Sequence, residues 1–111
     1  MKLDLGVLES ADADSVNNDL DEIWSLLLSD PETRSYAEDL GLDLSSINEI
    51  VTNPFRAEQD RRNRAGVLET VLIGVVVSIA SDLAKSSLEK IWKRLIKPKL
   101  ETHYGRIMSD D

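Results

Sequence analysis

The chain contains no cysteine, and that absence excludes disulfides, thiolate metal sites and a cysteine nucleophile. It is also what a reducing compartment favours, so a cytoplasmic location is expected. There is one histidine, His103, which leaves no pair of imidazoles for a metal or a relay. No HExxH, HxxxH or calcium-loop spacing occurs. Gly41, Gly66, Gly74 and Gly105 form no phosphate-binding loop, and neither GxSxG nor SxxK is present. Serine is frequent, but no base is placed to activate it. Cofactors, metal ions and catalytic residues are therefore not expected, and the chain reads as a non-enzyme.

Long apolar runs are also missing, with one exception. Residues 70–81 carry no charge, yet they number only twelve, between Glu69 and Asp82. A membrane-spanning helix needs about 20 apolar residues, so no transmembrane span is expected. The N-terminus, MKLDLGVLESADADS, lacks the apolar core of a secretory signal.

Basic residues are scarce in the first half. Residues 1–50 hold two of them against thirteen acids, a net of −11, whereas residues 51–111 hold eleven against eight acids, a net of +3. A polarised chain of this kind binds a partner of complementary charge or pairs its own halves. The overall charge of −8 weighs against nucleic acid. With 111 residues, 41% apolar and 31% charged, the chain suits one folded domain over 1–111 with one modest core.

Periodicity predicts the elements. MKLDLGV alternates apolar and polar residues, predicting a strand over 2–8. Leu20, Ile23, Trp24, Leu27 and Leu28 fall at i, i+3, i+4, i+7 and i+8, predicting an amphipathic helix over 15–29 capped by Asp14 or Ser15. Asp30, Pro31 and Glu32 open a second helix over 31–40, expected to bury Tyr36 and Leu40 and to stop at Gly41. Residues 46–53 suit either a helix or a strand, with a lean to helix. The stretch 55–65, FRAEQDRRNRA, reads as an exposed charged loop.

VLIGVVVSIA, residues 71–80, is rich in Val and Ile and could be a strand. The helical spacing of Leu68, Leu72, Val75, Ile79 and Leu83 favours a buried helix. Leu88, Ile91, Trp92, Leu95 and Ile96 repeat the pattern around Trp24. One bent helix or two stacked helices are therefore expected over 66–97, with a break at Ser86-Ser87 and an end at Pro98. Residues 98–111 are a short final element or a tail. The fold class is α+β and predominantly helical: a small helical domain with a short N-terminal strand and a long C-terminal helical segment. Trp24, Leu27, Leu28, Trp92 and Leu95 are its expected core.

Candidate contact residues follow from charge. Asp19, Asp21 and Glu22 represent the acidic half, and Arg61, Arg62 and Arg64 the basic loop. DADSVNNDLDE, residues 12–22, superficially suggests a calcium loop but lacks its central glycine, and an acidic helix start explains it better. His103 reads as a surface histidine.

The order of MKLDLGV, IWSLLLSDPETR and RAGVLETVLIGVVVSIASDLAKSSLEKIWKRLI resembles the small effector-associated constant component proteins of bacterial conflict systems. There, a WLxxDPE-like helix end precedes a Gly-led apolar helix and a terminal W-L helix. The likeness covers most of residues 2–96 and departs in the 55–65 loop and after Pro98. It implies an accessory component that holds or controls an effector, such as a protease or an ATPase, by protein contact. It supplies no catalytic residue. Two alternatives remain at this level: an acidic inhibitor or immunity protein that blocks a basic site, and a peripheral membrane protein. In the latter, the 71–80 helix inserts partway while Lys90, Lys93, Arg94, Lys97 and Lys99 meet anionic headgroups. A homo-oligomer formed through the 66–82 helix is a further expectation.

Overall fold

The computed structural model describes residues 1–9, 12–48, 50, 52–59 and 72–108. It is an α+β, helix-rich fold with a three-stranded antiparallel sheet. The elements are β1 (Lys2–Glu9), α1 (Ala13–Ser29), α2 (Pro31–Asp39), a 3₁₀ turn (Ser45–Ile47), β2 (Phe55–Gln59), β3 (Leu72–Ser78), α3 (Asp82–Ile91), a π-helical segment (Trp92–Ile96) and α4 (Lys97–Tyr104).

The apolar run is β3, the central strand of a sheet ordered β1-β3-β2. This corrects the helix expected there and, with it, the insertion of a 71–80 helix into a membrane. No helix among the described residues is long and apolar enough to cross a membrane. The physical reason is that the outward positions of β3 carry little polarity. Ile73, Val75 and Val77 point into the core, and Val76, on the opposite face, is only 8% exposed. With Gly74 and Val76 at outward positions the strand shows no polar alternation before Ser78, and its residues then mimic a helix stripe. Gly66 and Leu68 lie outside the described residues.

β2 corrects the loop expected at 55–65 over Phe55–Gln59, and residues 60–65 lie outside the described residues. Phe55 and Ala57 are buried opposite Val77 and Val75, while Arg56 and Glu58 face out. On that outer face Lys2 of β1 bonds Glu58 of β2 at 3.3 Å, reaching across the central strand. β1 carries an irregularity between Asp4 and Gly6, which lets Leu5 and Leu8 both enter the core.

β1 also receives the end of the chain. Val7 and Met108 exchange both backbone hydrogen bonds, at 2.7 and 2.9 Å. A Cβ at Gly6 would sit 2.7 Å from Ile107 Cγ2 and 3.0 Å from the Met108 carbonyl oxygen. Glycine at this position is what allows that close approach.

The helices begin and end where their caps dictate. Asp12, not Asp14 or Ser15, caps α1 by accepting from the Ser15 amide. Asp30 closes α1 through its own N–H to Leu26 O and opens α2 by accepting from the Thr33 amide and hydroxyl. These bonds, the hydroxyl's first, hold the Asp30 carboxyl below the usual carboxylate range. α1 has no cation in its last turn, and Arg34 of α2 supplies one by donating to Leu27 O at 3.0 Å. In α2, Ala37 is buried while Tyr36 is 53% exposed, which corrects the burial expected for Tyr36. Leu40 packs against the core edge.

Residues 82–104 form one continuous helical run, so Ser86-Ser87 is not a break and Pro98 is not an end. Proline removes an N–H and crowds the carbonyl one turn before it. The chain accommodates this by opening a turn: the Lys97 N–H bonds Trp92 O in the π register. Residues 97–104 are therefore helix, where a tail was the alternative. The core lies between sheet and helices, with Phe55 between Trp24 (centroids 6.0 Å apart) and Trp92 (6.5 Å). Trp24, Leu27, Trp92 and Leu95 are buried as expected, and Leu28 packs against them.

Candidate functional site

The helical period of α1 places two stripes side by side. Val16, Leu20, Trp24 and Leu27 face the core. Asp19, Glu22 and Ile23, at i, i+3 and i+4, line a groove, and Leu26 at i+7 continues their stripe with 39% exposure. The opposite wall is α4, through Lys99, Leu100, Thr102 and His103. The groove is open, with a volume of about 490 Å³, and its floor is the apolar pair Ile23 and Leu100.

Asp19 ties the two walls together. One of its oxygens, Oδ2, accepts from the Tyr104 hydroxyl at 2.5 Å and contacts His103 Nδ1 at 3.1 Å. A carboxylate only accepts, so the proton on that imidazole edge belongs to Nδ1. Asp19 is the more sheltered partner, its side chain 25% exposed against 71% for His103. Burial, followed by the bond to Asp19 and the charges of Asp19 and Asp12, pushes the Tyr104 phenol up to about 12.

A histidine held by a carboxylate is an arrangement that catalysis uses when a nucleophile sits beyond it. The hydroxyl in this groove is committed elsewhere, because Thr102 donates to Pro98 O at 3.0 Å. The remaining lining groups are a carboxylate, an ammonium and two apolar side chains. They suit recognition of a side chain or a peptide segment by charge and contact.

The groove brings together two of the expected contact residues and separates a third. Asp19 and Glu22 face it. Asp21, about 200° round the helix from Asp19, bonds Asn53 at 2.8 Å and Arg56 at 3.5 Å instead. Arg61, Arg62 and Arg64 lie outside the described residues. His103 is exposed, as expected, but it has a specific partner 84 residues away in sequence. Leu100 and Tyr104 escape the sequence reading, and Lys99 enters it only as a headgroup contact, because Pro98 reads as a helix end. The spacing of Lys99 to His103 and of Leu100 to Tyr104, both i, i+4, was the available signal.

Comparison with known proteins finds no matching family model, and no curated protein or solved structure of significant similarity.

Proposed function

We propose that the protein is a non-catalytic interaction component of a bacterial conflict system. In this reading it docks a basic, amphipathic segment of an effector, such as a protease or an ATPase, in the α1/α4 groove in the cytoplasm. The observation that carries the reading is the make-up of that groove. An apolar floor of Ile23 and Leu100 lies beside Asp19 and Glu22. Those acids sit on a helix without a single Lys, Arg or His, in a chain half with a net charge of −11. A partner helix with apolar residues at helical spacing and flanking Lys or Arg complements both features. The Thr102 bond to Pro98 supports recognition over catalysis. The same charge favours, as a second reading, an inhibitor that covers a basic active site on its partner.

Parallel affinity purification from the native host tests this with three forms: wild type, Glu22→Lys/Leu26→Lys and Asp14→Lys. All three positions are exposed, so the fold survives. One stoichiometric partner should be lost by the double variant and kept by Asp14→Lys. Retention by the double variant rules out the groove as the docking site. Equal loss in Asp14→Lys reduces the effect to general charge.

A further inference from the structure

A second concavity lies on another side of the molecule, between β1 and the helical run 82–104. Its volume is about 170 Å³. Leu3, Leu5 and Trp92 form its apolar wall, and Lys85, Lys93 and Lys97 line its rim. None of these three lysines takes part in an ion pair among the described residues. Two carboxylates also line it, Asp4 and Glu89. Asp4 has an interaction partner of its own.

The π segment explains why these lysines meet. Lys85 and Lys97 are twelve residues apart, and in an uninterrupted α-helix they would point about 120° apart. One residue taken up by the π turn rotates the following helix back by roughly 100°, which leaves the two within roughly 20°. Lys93 sits inside the π segment itself. The bulge beside Pro98 thus brings three lysines to one pocket beside β1.

We propose that this pocket binds a phosphoryl group, presented either by a soluble phosphate ester or by a phospholipid headgroup. A volume of 170 Å³ suits one such group and not a whole nucleotide. A phosphate monoester brings nearly two negative charges and three terminal oxygens, enough to engage three ammoniums at once. A carboxylate, with one charge and two oxygens, leaves one ammonium unmatched. Asp4 and Glu89, which line the same pocket, oppose the ligand by like charge and hold the affinity down.

The test uses the full chain, with pyrophosphate as the soluble probe and chloride at equal ionic strength as the control. Binding is read from the Trp92 indole N–H and the lysine side-chain resonances in NMR. Saturable shifts at Trp92 that chloride does not reproduce are expected. Lys93→Gln/Lys97→Gln should weaken them at least about tenfold, while Lys90→Gln leaves them unchanged. Glu89→Gln should tighten binding several-fold, an effect that loss of structure would not produce. Vesicles of phosphatidylcholine with and without phosphatidic acid form the second arm. Binding that needs both phosphatidic acid and the same two lysines assigns the group to a lipid, whereas binding of pyrophosphate alone assigns it to a soluble ester. No saturable response to either probe, or a response that Lys93→Gln/Lys97→Gln and Glu89→Gln do not change, overturns the proposal. Thermal unfolding of each variant confirms that the fold is intact.

Discussion

The Asn17 carboxamide holds both backbone groups of Ala57, donating to its carbonyl at 3.0 Å and accepting from its N–H at 2.7 Å. Ala57 lies on β2, an outer strand of the sheet. Its N–H and C=O point away from β3, where another strand would otherwise pair. The next outward N–H on that edge, of Phe55, is taken by Asn53 Oδ1 at 2.9 Å. Side-chain amides therefore do for these three groups what a fourth strand would do.

Replacing Asn17 by Leu should destabilise the protein by about 1–3 kcal/mol, because Ala57 is only 5% exposed and would keep two unsatisfied groups. Asn17→Asp tests the geometry more closely. A carboxylate still accepts from the Ala57 N–H but cannot donate to its carbonyl, so a smaller loss is expected. Urea unfolding measures both, and light scattering should show Asn17→Leu associating through the opened edge. Two variants of unchanged stability would show that the pairing contributes nothing.

Phe55 carries the aromatic part of the core. It is fully buried between the two tryptophans. Phe55→Leu should cost about 1–2 kcal/mol, mainly through lost ring contacts. Phe55→Ala should cost about 3–5 kcal/mol through the cavity it leaves. Tryptophan emission reports both, since the emitters flank the site. A cost below about 1 kcal/mol for Phe55→Ala would contradict the packing described.

Gly41 ends α2 with φ of +83°, and the Arg94 guanidinium donates to the neighbouring Leu40 carbonyl at 2.9 Å. A Cβ at Gly41 would fall 2.9 Å from Arg94 Nη1. Gly41→Ala should therefore cost about 1–2 kcal/mol, mostly from the left-handed backbone. Gly41→Asn should cost less, because asparagine tolerates that conformation. Equal melting temperatures for the two variants would place the cost in the Arg94 contact and not in the backbone.

The sequence made the helices of the N-terminal half legible because each has one buried stripe and one polar face. Asp30, Pro31 and Gly41 punctuate them at the positions the structure uses. β3 was not legible because Gly74 and Val76 occupy its outward positions, so no polar residue marks an alternation before Ser78. β2 was hidden by its length, since only Phe55 and Ala57 mark the buried face among charged neighbours. Of the groove, the acidic wall could be read from α1 alone. The α4 wall is harder to read, because Pro98 reads as a helix end and only the i, i+4 spacings beyond it argue for a helix that continues. The bond from Asp19 to Tyr104 joins residues 85 positions apart, and only the tertiary fold reveals it.

Tyr104 gives the groove a signature in alkaline solution. Its phenol is pushed up to about 12, against an ordinary value near 10. Because the folded value is the higher one, the neutral phenol is favoured by folding. The stability this confers is fully present below pH of about 10 and is lost as pH rises through about 12. In that window the unfolded chain has released the proton and the folded chain still holds it, so unfolding becomes easier with each step in pH. Wild type should therefore show a falling melting temperature across this range, with a tyrosinate absorbance step near its upper end. Tyr104→Phe should remove that step and flatten the fall. Burial is the largest cause of the shift and Asp19 the next, so Asp19→Asn should lower the step only partway. A step in Asp19→Asn that returns fully to the ordinary phenol value would mean that the carboxylate, and not burial between α1 and α4, controls this residue.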